Sequence, residues 1–287
     1  MTTDTHPLSG FLGDLIAHER LNEDDRNAIL ELPFRVRKLD PGSYLVREGS
    51  LPAQCGVLVE GYAYRQKMTG DGSRQIIAIC IPGDAVDLQN IFLDISDHAV
   101  QMLTRGTVAD VPREALQQLV LSKPHIGKAI IQLTLIEASI VREWVVNVGR
   151  RDARERIAHV LCEFAVRLES RGLMSFNGFE LPMTQEQLAD ATGLTSVHVN
   201  RVLKGLEADG LISRRRRHIH FPDWRALQDV GDFSRTYLHI PGEDGGGLSD
   251  SQAASPRPSL ISVKDGCSAQ SYALGTEVCV EGIRFSD

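Results

Sequence analysis

The chain has 287 residues, 42% of them hydrophobic and 24% charged, with a formal net charge of -7. Two domains with separate cores fit that length, no apolar run approaches the roughly 20 residues that cross a bilayer, and the opening MTTDTHPLSG lacks the basic and apolar parts of a secretory leader, so a cytoplasmic protein with no membrane partner is expected. Acidity would exclude nucleic acid only if spread evenly, and from Gly242 onward seven acids stand against three bases, a segment that carries four of the seven net negative charges.

The five cysteines, Cys55, Cys80, Cys162, Cys267 and Cys279, are odd in number, scattered and without a Cys-x-x-Cys pair. A disulfide framework, a zinc ribbon and an iron-sulfur cluster all lack their usual spacing, so no metal site is expected and buried thiols are.

In chain order, residues 8–33 read as short helices, one of them over Asn22 to Leu32, closed by Pro33. From Phe34 to about Val111 the texture is β-type, with runs at Phe34 to Leu39, Tyr44 to Val46, Gly56 to Val59, Tyr62 to Met68, Arg74 to Ile81, Val100 to Leu103 and Thr107 to Val111. Turn signals such as Asp40-Pro41-Gly42, Gly70-Asp71-Gly72 and Pro82-Gly83-Asp84 separate them, the pattern of a small β-barrel or roll. Near Pro112 the period becomes helical. From Pro124 to Val148 the residues Ile126, Ile130, Leu133, Ile140 and Trp144 follow heptad-like spacing, with Glu137 at one layer. That seam is expected to pair with a second copy rather than with its own domain, and Gly149-Arg-Arg-Asp152 is expected to end it. Asp152 then caps a helix over Ala153 to Glu169 whose Ile157, Ala158, Leu161 and Phe164 face inward, and Phe179 to Leu181 reads as a short strand.

The most informative stretch is Thr184 to Ile212. Thr184 with Gln187 forms a capping-box pattern, Leu188 and Ala191 supply an inward face, and Gly193 permits a sharp turn. Thr195 then caps a second helix with Val199, Val202, Leu203 and Leu206 on one side. Two short helices across a tight turn form a helix-turn-helix, whose second helix fits the major groove. Ile212 to Phe221 alternates weakly about Arg214, Arg215, Arg216 and Arg217, as the two strands of a basic wing would. Asp223 caps a helix beginning at Trp224, and residues 241–287, opened by Gly245-Gly-Gly247 and rich in Ser, Pro and Ala, read as a disordered tail with short strand-like pieces at Tyr272 to Leu274 and Glu277 to Val280.

A β-roll, a long helix and a winged helix-turn-helix, carrying Pro82-Gly83-Asp84, Arg156-Ile157-Ala158, Leu188-Ala189 through Gly193, Val199 to Leu206 and Gly210-Leu-Ile212 in this order, resembles the Crp/Fnr family of bacterial transcription regulators over about residues 10–235. The resemblance implies an α+β chain with an N-terminal double-stranded β-helix or jelly roll of the cyclic-nucleotide-binding type (1–121), a dimerisation helix (122–150) and a winged helix-turn-helix (151–240). It implies a homodimer on a palindromic double-stranded DNA site, with RNA polymerase a further candidate partner. Founding members bind cyclic AMP through a Gly-Glu and an Arg-Ser pair. The Glu accepts from the ribose, and the Arg pairs with the phosphate through a charged fork. The matching positions here are Asp87-Leu88 and His98-Ala99, so that chemistry is not expected. His98 at the end of a loop reads as surface, the alternative being a polar site with Asp87 or Asp97 for another ligand, a metal or a proton. Residues 1–54 lack the cysteine group of iron-sulfur relatives, and no axial haem ligand stands out among His6, His18 and His98. The effector is thus unnamed.

By the same resemblance, the start and exposed face of the second helix meet DNA. Ser196, Val197 and Arg201 stand where founding members carry Arg, Glu and Arg, so Arg201 keeps a guanine-reading fork while Val197 offers only apolar contact, and the half-site should differ. Thr184, Gln185, Thr195 and His198 are expected at phosphates, Asn200 at base or backbone, Lys204 on the same face, and the four wing arginines at phosphates. The alternative is a sensor acting through protein partners with a degenerate helix-turn-helix. An enzyme is not expected, since no nucleophile-base order, phosphate loop or metal spacing is present.

Overall fold

Alternating strands and turns between residues 35 and 112 close into two sheets that share one core. The computed structural model describes residues 6–174 and 178–240, so the tail, its two strand-like pieces, Cys267 and Cys279 lie outside the described residues. Helices α1 (Ser9–His18) and α2 (Glu23–Leu30) come first, the second started by a capping box between Asn22 and Asp25. The strands are β1 (Arg35–Leu39), β2 (Tyr44–Val46), β3 (Gln54–Glu60), β4 (Ala63–Met68), β5 (Arg74–Cys80), β6 (Ala99–Met102) and β7 (Gly106–Pro112). One sheet has the order β1-β7-β3 and the other β2-β6-β4-β5, with antiparallel neighbours in each. Val46, Leu58, Ala63, Cys80, Val86, Val100, Met102 and Val108 fill the space between them, each buried aliphatic contributing roughly 1.5–3 kcal/mol.

The Pro82-Gly83-Asp84 turn ties this roll to the C-terminal half of the chain. Gly83 adopts a φ of 100°, a conformation that residues with a Cβ rarely take, and a Cβ there would press on the Arg171 guanidinium. Asp84 accepts from the Ile81 amide at 2.9 Å, from Arg167 Nη2 at 2.8 Å and from Arg171 Nη2 at 3.0 Å.

Helix α3 (Arg113–Ser122) leads into the stem, α4 (Pro124–Arg150), which starts with proline in its first turn, where a missing N–H costs nothing. The helix ends within Gly149-Arg-Arg-Asp152 as expected: it continues through Arg150, and the break falls at Arg151, which is extended. The heptad-like row, however, faces the other way from the expectation. Ile126 and Ile130 pack with α1, α2 and the roll, Leu133 packs beside them, and Trp144 with Ile140 joins the core of the C-terminal part. This row is occupied within its own chain. The outward stripe is instead Ile131, Leu135, Ala138, Arg142 and Val145, again at alternating spacings of four and three, with Ile131, Leu135 and Val145 58%, 62% and 64% exposed.

Beyond the break, α5 (Ala153–Ser170) begins with a capping box between Asp152 and Glu155 and buries Ile157, Ala158, Leu161 and Phe164. The chain continues through β8 (Gly178–Glu180), α6 (Gln185–Thr192), α7 (Ser196–Ala208), β9 (Ser213–Arg215), β10 (His218–His220) and α8 (Trp224–Val230), with the three strands ordered β8-β10-β9; α5 packs on α6, α7 and α8 and sets Phe164 against Phe179 of β8. Their apolar core is continuous with Tyr64, Ile76, Ile79 and Ile81 of the roll. At the break, buried Glu163 accepts from Trp144 Nε1 at 2.9 and 3.0 Å and from the Tyr237 hydroxyl at 2.8 Å, joining stem, α5 and the segment after α8. No helix of the described residues is long and apolar enough to cross a membrane.

Candidate nucleic-acid interface and sensor roll

The two helices of the turn are placed by their caps. Thr184 accepts from the Gln187 amide while the Gln187 side chain accepts from the Thr184 amide, and Gly193, with a φ of 66°, ends α6 in the left-handed conformation. Thr195 accepts from the His198 amide and starts α7. Arg156 locks the turn to α5 by donating to the Thr192 carbonyl at 3.0 Å and to the Arg151 carbonyl at 2.8 Å. Val199, Leu203 and Leu206 bury one side of α7. On the other side Ser196, Val197, Arg201 and Lys204 are exposed, Val197 to 70%, with His198 and Asn200 half-buried at the edge. Thr184, Gln185 and Thr195 are exposed at the helix starts, and Gln185 Nε2 reaches Asn200 Oδ1 at 3.4 Å. The helix starts and the open face of α7 thus form one surface.

The wing divides its arginines. Arg214 donates to Glu207, and Arg217 donates to the Leu181 carbonyl at 3.2 Å and to that of Pro182. These two guanidinium groups have partners within the chain, Arg214 half-buried and Arg217 still exposed, a distinction the expectation of four phosphate contacts did not make. Arg215 and Arg216 are exposed with no side-chain partner among the described residues, and Arg216 takes a φ of 55° at the tip. The reason is register. Arg214 pairs with Ile219, whose side chain is buried, so its own side chain leaves on the inward face, whereas Arg215 leaves on the opposite one.

In the roll, Asp87, Leu88, His98 and Ala99 are all buried. Leu88 belongs to the apolar cluster of the N-terminal helices. His98 is not surface but 4% exposed: its Nδ1 lies 2.8 Å from Asp97 Oδ1 and its Nε2 is 3.6 Å from Asp87 Oδ1. The His98 contact holds Asp97 below the usual carboxylate range, so Nδ1 is the donor. Burial pushes Asp87 up to about 6, and it also accepts from Asn90 Nδ2. Among the described residues no three His, Cys, Asp or Glu side chains are placed to hold a metal ion. Burial raises Cys55 and Cys80 to about 12 and also raises Cys162, which makes them poor nucleophiles.

Sequence reading missed the roll's central charge. Arg65 on β4, 10% exposed in its side chain, donates from Nε to the Val86 carbonyl at 3.0 Å and from Nη2 to Glu137 Oε1 of α4 at 2.7 Å. It also missed Arg74 of β5, which pairs with Asp190 of α6 at 2.6 Å. The only signal was a charged residue inside a strand that otherwise alternates toward a core.

A β-roll joined by a helical stem to a winged helix-turn-helix with an open recognition face defines a DNA-binding transcription regulator. Family models agree on both halves: a cyclic nucleotide-binding domain matches residues 36–123 and a Crp-like helix-turn-helix domain residues 155–230. Transcriptional activator protein FnrL of Cereibacter sphaeroides is 30% identical over 220 residues, covering 74% of this chain and 87% of that protein. Transcriptional activator protein Anr of Pseudomonas protegens is 26% identical over 203 residues, covering 71% and 83%. FixK2 from Bradyrhizobium japonicum shares the fold, with a TM-score of 0.65 at 24% identity, over 69% of this chain and 98% of that one. The chain belongs to the Crp/Fnr family of transcription regulators and is not an enzyme. The residues present do not fit a cyclic nucleotide: Leu88 and Ala99 offer no polar group, His98 is held by Asp97, and Arg65 is spent on Glu137 and Val86.

Proposed function

We propose that this regulator works as a homodimer on a palindromic DNA site, reads it with Arg201, Val197, Ser196 and Asn200, and does so without cyclic AMP. The observation that carries the reading is the face of α7 opposite Val199, Leu203 and Leu206. Its Arg201 and Lys204 are exposed, Arg201 with no hydrogen bond or ion pair among the described residues and Lys204 near Glu207. Arg201 supplies the bidentate fork for a guanine, Val197 an apolar contact for a thymine methyl. Thr184, Gln185, Thr195, His198 and Lys204 hold the backbone, and so do Arg215 and Arg216 at the wing tip, with Arg214 and Arg217 shaping the wing behind them.

The outward stripe of α4 supports a second copy. An exposed heptad row on a long helix lowers its free energy by packing against the same row of another helix. Two α7 helices so held would enter successive major grooves about 34 Å apart. In this arrangement residues 1–121 sense, 122–150 join and 151–240 read, in the cytoplasm where the genome and RNA polymerase are met. Selection from a random-sequence DNA pool with the full chain tests the reading. A palindrome with half-sites one helical turn apart is expected, and no enriched sequence would favour a sensor acting through protein partners.

A further inference from the structure

We infer that the Arg65–Glu137 ion pair stands in for an effector, holding the roll on the stem in the DNA-competent arrangement with no small molecule bound. The inference rests on the function proposed above and assigns the two residues a positioning role. One guanidinium meets three parts of the fold: its own strand, the Val86 carbonyl just after the Pro-Gly-Asp turn, and the carboxylate of Glu137 halfway along α4. Among the described residues no other side-chain ion pair or hydrogen bond runs from the strands of the roll to α4. The polar links that α4 makes at its start, through Lys123 to Asp24 and through Lys128 to Glu19, go to the N-terminal helices instead.

Stability alone does not account for the pair. A charge pair taken out of water usually holds a fold no better than apolar side chains of the same volume, while it fixes one geometry and rejects others. Arg65 and Glu137 both line a cavity of about 1140 Å³ that α1 and α5 also reach, with Leu88, Leu133 and Ile140 among its apolar walls and Asp14, Asp84, Arg167 and Arg171 among its charged ones. With Arg65 buried and Glu137 half-buried, the charged fork fixes a register between β4 and α4. Asp87, a second carboxylate that acts on Arg65 from the roll side, hydrogen-bonds Asn90 and lies against His98, whereas Glu137 is the carboxylate that accepts a hydrogen bond from Arg65. The groups facing Arg65 thus satisfy it from within the chain, at the junction where an effector would have to join roll to stem.

The test uses full-length protein shown by native mass spectrometry to carry no small molecule, and a palindrome chosen by selection. Wild type should bind it with no addition. Glu137→Gln, which keeps an acceptor for Arg65 but removes its counter-charge, should melt lower than wild type and weaken specific binding at least tenfold, with binding to random DNA and dimer mass unchanged. The double variant Arg65→Met with Glu137→Leu, which replaces the pair by apolar volume and keeps the core filled, should melt no lower than wild type and bind the palindrome as weakly as Glu137→Gln. Full specific affinity in either variant would overturn the inference, and so would a wild type that binds only after cyclic AMP is added or only while a ligand is retained. A wild type that enriches no sequence overturns the function itself, a result distinct from these.

Discussion

Arg201 and Val197 sit one helical turn apart on the open face of α7, and they carry opposite expectations for recognition. Arg201→Ala removes the only charged fork on the base-reading part of that face. It should weaken binding to the selected site by ~1–3 kcal/mol and relax preference at one base pair; footprints with unchanged affinity and preference would remove Arg201 from the base readers. His159 offers a second test at this scale. It is fully buried on α5, with Nδ1 3.1 Å from the Gly231 carbonyl and Nε2 3.1 Å from the Tyr237 hydroxyl. Burial, helped by Arg151, lowers it from 6.5 to about 4. The folded chain therefore binds fewer protons there than the unfolded chain does, so this contribution, roughly 3 kcal/mol, is complete above pH 6.5 and is lost as pH falls toward 4. Asp87, raised to about 6, acts in the opposite sense: its contribution is complete below 3.8 and is lost as pH rises through 6. His159→Gln keeps a donor and an acceptor and deletes only the first slope. Urea melts at pH 7 and pH 5 should show the variant losing less stability than wild type, and equal changes would refute the assignment.

At the scale of elements, the wing and the stem each separate two kinds of residue that look alike in the sequence. Arg215 and Arg216 are exposed at the tip, while Arg214 and Arg217 are tied to Glu207 and to the Leu181 and Pro182 carbonyls. Replacing Arg215 and Arg216 by Gln should weaken binding to every DNA sequence alike and reduce the slope of log affinity against log salt by about 2, one for each lost phosphate contact. A loss confined to one sequence would instead make the tip a base reader. Helix α4 carries two apolar rows, and they should fail differently. Leu135→Glu, on the outward row, should yield a folded monomer by sedimentation with little loss of melting temperature, because Leu135 is 62% exposed in the single chain. Ile130→Ala, on the inward row, should cost about 2–5 kcal/mol of stability through the cavity it leaves. A dimeric Leu135→Glu variant would move the interface elsewhere.

For the whole molecule, the links between roll and reading domain are ion pairs laid over a shared apolar core. Arg74 meets Asp190 of α6, and Arg167 and Arg171 grip Asp84 of the turn. These join residues far apart in the chain, and nothing local announces them. What the sequence by itself determined is the run of local elements: the helix starts at Asn22 and Asp152, the capping box at Thr184, the sharp turn at Gly193, the short alternating strands and the face of α7. Each of these rests on neighbours within a turn or two, where spacing and side-chain chemistry suffice. Tertiary structure decided which of the two rows on α4 is covered, which wing arginines are engaged, that His98 is buried between Asp87 and Asp97, and that Arg65 meets Glu137. A helix with apolar residues on two sides has the same period whichever side is buried, and the partner of a buried charge is set by strands and helices dozens of residues away.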